Sequence, residues 1–381
     1  ISNQRPSSSI EFKNSKKSKK STINFDSDGV CSACRFSDIK EGSIDWNERE
    51  IELLALCDRF RGKFGKYDVV VPGSGGKDSA YTSHILKYKY GMNPLTVTWA
   101  PHLYTEIGFK NFTNWIHEGG LDNILFTPNG KLHRVLTKLA FKNLLHPFQP
   151  FIVGQRIIGP LIAMKFGIPF VMYGENQAEY GNNIEENERP IMNDSFFSNE
   201  SIDSILLGGE SIESIMLENG FSLSDFAPYI PPTPEEIEEA RIEVHYLSYY
   251  HKWDPQECYY YAVENTGFSA NPQRTQGTYS KYSSIDDKID FFHYYTTLIK
   301  FGLGRASYDA SQEVRNGKIT REEAVYLVKK YDQEFPSKYF QDFLDYLSLE
   351  EESFNSICDS FRSPHLWQDT IDGWKLKNII H

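Results

Sequence analysis

The residues best equipped for chemistry are Ser74-Gly75-Gly76-Lys77-Asp78-Ser79, a short run between a buried apolar strand and a helix. Two glycines let backbone amides approach phosphate oxygens. The helix N-terminus adds partial positive charge, Lys77 adds a full one, and Ser74 and Ser79 offer hydroxyls. This is not the Walker pattern, in which four residues separate the first glycine from Gly-Lys-Ser/Thr. A packing turn with a solvated lysine does not account for Gly-Gly-Lys-Asp-Ser at this place.

The elements around this loop alternate as in parallel α/β domains. A helix over Trp46–Phe60 leads into the strand Tyr67–Pro72, and the loop 73–78 follows. The pattern then predicts a helix over 79–90, a strand at Leu95–Trp99, a helix near 108–119 and a strand at Asn123–Phe126. Helices over 131–144 and 155–166 precede a fourth strand, Pro169–Tyr173. Four strand-then-helix units imply a doubly wound parallel sheet, with ligands beyond the carboxyl ends of the strands. Gly174-Glu175-Asn176 leaves the fourth strand at that edge. Glu175 and Asn176 are there either to touch substrate or metal, or as turn residues that cap a helix.

The chain divides into four stretches: 1–45 with a Cys-x-x-Cys, 46–181 as the α/β domain, 182–235 as an acidic insertion or lid, and 236–381 as a mostly helical region. In the last, periodic segments at 286–300 and 320–331 read as helices, and Thr320-Arg321-Glu322-Glu323 reads as a capping box. The run Lys16–Lys20 is a solvated loop or an anion contact. With 381 residues and 40% hydrophobic content the chain can bury a sizeable core. A net charge of −12 argues against a general nucleic-acid binder. No run is long and apolar enough for a transmembrane helix, and no secretory signal is evident. Five cysteines suit a reducing compartment, so a cytoplasmic location is expected. Of these, Cys57, Cys258 and Cys358 read as core thiols.

The Ser74–Ser79 run resembles the PP-loop of the ATP pyrophosphatases, which cleave ATP between the α and β phosphates and adenylate a carbonyl or similar oxygen. That resemblance implies that Ser74, Gly75, Gly76, Lys77, Asp78 and Ser79 hold the departing pyrophosphate and that Asp78 helps place Mg²⁺. It also implies that Thr98 and Trp99 lie near the adenine. A wider set, Gly29–Cys34, Val97–Thr105, Pro147–Phe151, Tyr173–Asn176 and Lys300–Ala306, is similar to the N-acetyl sugar amidotransferases of bacterial surface-polysaccharide synthesis. Those enzymes turn the acetamido group of an activated sugar into an acetamidino group.

The chemistry this implies is coherent. An amide oxygen leaves poorly, whereas an O-adenylyl imidate releases AMP readily when ammonia attacks. Such a reaction needs positioned cations rather than a nucleophilic triad. Lys77, Lys300 and Arg305 are the expected cations, although Lys300 and Arg305 also read as a helix C-terminal pair near a glycine stop. Gly174 joins the expected nucleotide site, and Tyr104, Gln155, Glu175 and Asn176 the substrate site. His102 either contacts substrate, assists proton transfer, or is structural. Gln155 and Arg156 either meet the sugar nucleotide or lie on a helix-start surface.

Cys31 and Cys34 are half of a tetrahedral zinc set, or else a reduced pair. In the family a second Cys-x-x-Cys lies just upstream of the segment matching Asn3–Pro6, and this chain opens with Ile1. A short lost N-terminal piece carrying the other two ligands of a structural Zn²⁺ is therefore expected. No cysteine here sits as a glutaminase nucleophile, so the resemblance implies a separate ammonia-supplying glutaminase, resembling that of histidine biosynthesis, with its cyclase-like companion. Two alternatives stand: a thiolase-like PP-loop enzyme acting on tRNA, opposed by the acidic charge, and an ATP-binding regulatory protein, opposed by the intact Lys77 and Asp78.

Overall fold

The computed structural model describes residues 25–63, 67–176, 179 and 189–380. The lysine run and the Asn3–Pro6 segment lie outside them.

Two helices, α1 (Ser32–Gly42) and α2 (Trp46–Phe60), precede the strand β1 (Val69–Pro72). Next come α3 (Lys77–Tyr88), β2 (Pro94–Trp99), α4 (Glu106–His117), β3 (Asp122–Phe126), α5 (Gly130–Leu144), α6 (Gln149–Phe166) and β4 (Phe170–Tyr173). A small hairpin, β5 (Leu206–Leu207) and β6 (Glu210–Ser211), leads to α7 (Ile212–Asn219), α8 (Pro234–Ala240) and β7 (Glu243–Tyr246). The remainder is α9 (Leu247–Tyr250), α10 (Pro255–Thr266), α11 (Asp290–Phe301), α12 (Arg305–Arg315), α13 (Arg321–Tyr331), α14 (Phe340–Leu347) and α15 (Glu351–Ser360), closed by the hairpin β8 (Trp367–Thr370) and β9 (Gly373–Leu376).

The central sheet has five strands in the order β3-β2-β1-β4-β7, all parallel. Its order reverses between β1 and β4, and there the crevice for a ligand opens. Val69, Val70 and Val71 are fully buried, as expected of a strand covered on both faces. On one face Val70, Val97 and Trp99 pack with α5, α6 and the segment through Phe197, Leu207, Ile215 and Phe226. On the other, Val69, Val71 and Met172 meet Leu53 and Leu56 of α2, Leu86 of α3 and Trp253. A third cluster joins Phe141 of α5 to Phe292, Phe343, Phe354 and Phe361.

Three features depart from the sequence reading. The fifth strand, β7, is not expected from the pattern: Glu243-Val244-His245-Tyr246 is short and mixed, and Glu243 at the sheet edge pairs with Arg59. Helix α6 starts at Gln149 rather than 155, because Pro150 occupies the first turn, where a missing N–H costs nothing. The 182–235 stretch, over its described part, contributes to the main core: Phe197, Ile205, Leu207, Ile212, Ile215 and Phe226 are buried there. Its acidic, Ser-rich surface conceals those apolar residues. Among the described residues no helix is long and apolar enough to cross a membrane.

Candidate functional site

The phosphate-loop geometry follows from β1 running into α3. Gly75 has φ +80°, and a Cβ there would come within 2.7 Å of Phe112 Cα, so only glycine fits the turn. Gly76 is the N-cap of α3, and Lys77 begins the helix. The Lys77 ammonium is buried and lies 2.5 Å from Asp78 Oδ2. Burial opposes its charge, but the Asp78 carboxylate outweighs this and holds the Lys77 pKa above its ordinary value. Glu175, at the end of β4, also feels Lys77. Burial, reinforced by the Asp78 charge, pushes the Glu175 carboxyl up to about 8. Cys258 of α10 closes this corner, its thiol raised by burial.

A second wall comes from the C-terminal region. Residues 285–288 run beside the β2–α4 loop: Thr105 N donates to Asp286 O and Lys288 N to Leu103 O. A Cβ on Gly108 would stand 2.3 Å from Asp286 Cα, which shows how closely the two segments approach. Asp287 is the pin. Its Oδ2 accepts from His102 N and faces His102 Nδ1, each at 2.7 Å, and its Oδ1 accepts from Ile289 N at 2.9 Å. With Asp287 so engaged, its neighbour Asp286 reaches the Ser74 hydroxyl of the phosphate loop.

Arg305 opens α12 and is 2% exposed. Its guanidinium lies 4.5 Å over the Tyr294 ring, with Nη2 donating to Ser283 O and Nε 3.9 Å from Asp309 Oδ2. Asp286, Asp290 and Asp309 all interact with it electrostatically, and Asp309 senses Lys77 as well. Burial raises all three carboxyls, Asp290 to about 7. Asp309 also accepts from Thr278 Oγ1. Tyr282 stacks on Tyr259 at 4.3 Å, and burial, with the charges of Glu313 and Asp309, raises its hydroxyl.

Several expected site residues are placed elsewhere. Lys300 is not at the phosphate loop: Nζ donates to Leu144 O at the end of α5 and lies 5.8 Å from the Phe361 ring centre. Thr98 Oγ1 accepts from Asn123 Nδ2 within the sheet. Trp99 is core, its ring 5.1 Å from Phe126 and 5.3 Å from Tyr229, so close to α6 that Gly154 admits no side chain. His102 is enclosed, stacked on His133 at 4.5 Å. Tyr104 is half-buried against Phe109. Gln155 and Arg156 lie inside α6, their carbonyls accepting from Tyr173 OH, and the Arg156 guanidinium lies over Phe196. Gly174 does reach the loop, since a Cβ there would meet Thr82 Oγ1, Trp253 and, at 3.4 Å, Asp78 O, whereas Asn176 is buried with its N–H on Ser248 Oγ. Glu175 alone of the expected substrate set stands beside Lys77 and Asp78.

Sequence reasoning missed Asp286, Asp290 and Asp309. The 286–300 run reads as one helix, and nothing local marks its first turn as a contact with the phosphate loop.

Cys31 is the N-cap of α1 and Cys34 lies in its first turn. The two thiols are hydrogen-bonded, which, with burial, raises the Cys34 thiol. They supply two donors of a tetrahedral set, and among the described residues no three His, Cys, Asp or Glu side chains are grouped to hold a metal ion.

Comparison with known proteins gives one family: residues 276–380 match "LPS biosynthesis protein WbpG-like, C-terminal domain". That segment contains Asp286, Asp290, Arg305 and Asp309. No curated protein matches the chain. Among solved structures, it is similar to the NMN synthetase from Francisella tularensis, with 11% identity, 81% of this chain and 98% of that one covered, and a TM-score of 0.34. The NH3-dependent NAD synthetase from Campylobacter jejuni has 14% identity, 52% and 95% coverage and a TM-score of 0.29. The U34-tRNA thiolase NcsA from Methanococcus maripaludis, with its [4Fe-4S] cluster, has 14% identity, 93% and 97% coverage and a TM-score of 0.35. Likeness at this level says nothing of substrate.

Proposed function

We propose, from the premise that the chain belongs through residues 276–380 to the WbpG-like lipopolysaccharide-biosynthesis family, that it is an ATP-dependent amidotransferase acting in the cytoplasm on a nucleotide-linked N-acetyl sugar. The acetamido oxygen attacks the α-phosphorus of ATP, pyrophosphate leaves, and ammonia then displaces AMP from the imidate carbon to give an acetamidino sugar. The observation that carries this reading is Asp309, which feels both Lys77 and Arg305. It links a phosphate-holding loop to a wall drawn from the WbpG-like segment.

Each residue has a task that its surroundings support. Backbone amides of Gly75 and Gly76, with the Ser74 and Ser79 hydroxyls, cradle pyrophosphate at the N-terminus of α3. Lys77 offsets the charge that grows on the leaving phosphates, and Arg305 adds a second cation on the segment that carries Asp309. Mg²⁺ arriving with ATP would be held by Asp78 and would neutralise phosphate charge. Glu175, raised to about 8, is poised near neutral pH to take a proton from the attacking ammonia. Ammonia comes from a partner glutaminase with a cyclase-like subunit. Cys31 and Cys34 would supply two of the four donors of a structural Zn²⁺.

The test is incubation with ATP, Mg²⁺, an ammonium salt and a panel of nucleotide-linked diacetamido sugars, following nucleotides by chromatography and sugar by mass. AMP with pyrophosphate, and a sugar in which NH has replaced oxygen, is the expected result. ADP, or turnover that responds to tRNA and not to sugar, overturns the proposal.

A further inference from the structure

The wall opposite the phosphate loop holds more carboxylates than nucleotide binding can use. Asp286, Asp290 and Asp309 all interact with one guanidinium, and Asp309 also feels Lys77. Each accepts a hydroxyl, Asp286 from Ser74, Asp290 from Ser284 and Asp309 from Thr278, and a carboxylate has room for further donors; when ionised, they repel the phosphates that the loop attracts. Nor are they grouped as a metal cage.

Arg305 supplies an independent sign of a ligand. Although 2% exposed, it leaves Nε and Nη1 without a hydrogen-bond partner. Buried, unspent N–H groups on a cation are costly, and such groups normally find an acceptor. The complementary ligand therefore brings an acceptor oxygen for Arg305 and N–H or O–H donors for the carboxylates. A phosphate supplies the first without the second, and an ammonium ion the second without the first. A secondary amide supplies both from one planar group, and sugar hydroxyls beside it add further donors.

We propose that Arg305, Asp290 and Asp309 form the acetamido subsite, in which Arg305 donates to the amide oxygen and an aspartate accepts from the amide N–H. This rests on the amidotransferase reading and deepens it. Arg305 then presents that oxygen toward the loop that holds ATP. Once the oxygen carries AMP, the same guanidinium meets a phosphate, so the contact tightens as the reaction proceeds. The Tyr294 ring beneath Arg305 and Ser284, which bonds both Asp290 and Tyr294, keep the group in place.

The amide can be weighed alone by comparing UDP-N-acetylglucosamine with UDP-glucose, each titrated calorimetrically into protein holding Mg²⁺ and an ATP analogue uncleavable between the α and β phosphates. Wild type is expected to prefer the acetamido sugar. That preference should shrink roughly 10- to 100-fold in Arg305→Gln and in the double variant Asp290→Asn/Asp309→Asn, the change expected when charged hydrogen bonds are lost. Should Arg305→Gln fail to fold, Arg305→Lys keeps the charge without the fork, and its preference decides. Equal binding of the two sugars by wild type, or an undiminished preference in the variants, overturns the subsite. Because no turnover is read, the two proposals fail separately. A wild type that prefers the acetamido sugar yet never makes AMP sinks the reaction alone. One that makes AMP while the variants keep the preference sinks the subsite alone.

Discussion

The two walls of the site are built by opposite means. The phosphate wall is six consecutive residues between one strand and one helix, and its geometry follows from local rules: glycines for the turn, an N-terminus for the charge, Lys77 at the first helical position. The facing wall gathers Asp286, Asp290, Arg305 and Asp309 from a loop and two helices, and residues beside them are anchored elsewhere in the chain. Asp287 is pinned at His102, 185 residues earlier. Asp332 clamps the start of α12: its Oδ2 accepts from Gly304 N and Ser307 Oγ, and its Oδ1 from Ser307 N. A local wall fails only when its own residues change, whereas an assembled wall fails when any of its supports loosens.

The sharpest break of that contrast is Lys77→Met. Loss of one preorganised cation at developing charge should cut AMP formation by about 10²–10³-fold. Because the opposite wall has supports of its own, the UDP-sugar preference should survive, and calorimetry in parallel with the AMP assay checks both. A lost preference would mean that the walls form only together.

Asp332→Ala attacks the other wall at a residue that holds it from behind. Three donors lose a buried acceptor at once, so a cost on the order of 3–5 kcal/mol and a clear drop in melting temperature are expected. Sugar KM should rise while affinity for the ATP analogue holds. Asp332→Asn should recover part of the sugar KM, which a general loss of packing would not allow.

A subtler probe uses pH. The Asp290 pKa is raised to about 7 in the folded chain from an ordinary 3.8. Between those values the folded state keeps a proton that the unfolded state has lost. The group therefore contributes stability below about pH 4, and that contribution is lost as pH rises toward 7. Each pH unit between the two values corresponds to about 1.4 kcal/mol. Denaturant melts of wild type and Asp290→Asn should therefore show the variant gaining relative stability from pH 5 to pH 8. A difference that does not change with pH would show that Asp290 ionises normally and that the wall is wetter than its burial implies.

This asymmetry also decides what could be read from the sequence. The phosphate loop, four of the five strands and the Thr320 capping box were legible because each is a pattern within a dozen residues; Thr320 and Glu323 do exchange both bonds. The fifth strand was not, since Glu243 and His245 interrupt its apolar pattern: Glu243 pairs with Arg59, and His245 is buried where the 190–192 segment pairs along the outer edge of β7. Nor were the carboxylates of the second wall. Asp286, Asp290 and Asp309 carry no spacing that distinguishes them from a solvated helix face, and only the pairing of 285–288 with the β2–α4 loop gives them a place.

Lys300 and Arg305 show the limit most directly, because sequence treats them as a pair. Helix α11 ends at Gly302, whose φ of +73° turns the backbone out of the helix, and α12 starts afresh after Gly304. The two cations thus leave separate helices: Arg305 for the carboxylates and Lys300 for the Leu144 carbonyl beside Phe361. Lys300→Met keeps the length of the chain and removes the charge. It should lower stability by about 1–3 kcal/mol, the range for a lost charged hydrogen bond, and leave affinity for the ATP analogue within about twofold of wild type, well under 1.4 kcal/mol. A tenfold loss of nucleotide affinity would instead assign Lys300 to the phosphate wall and require α11 to turn toward it when ATP binds.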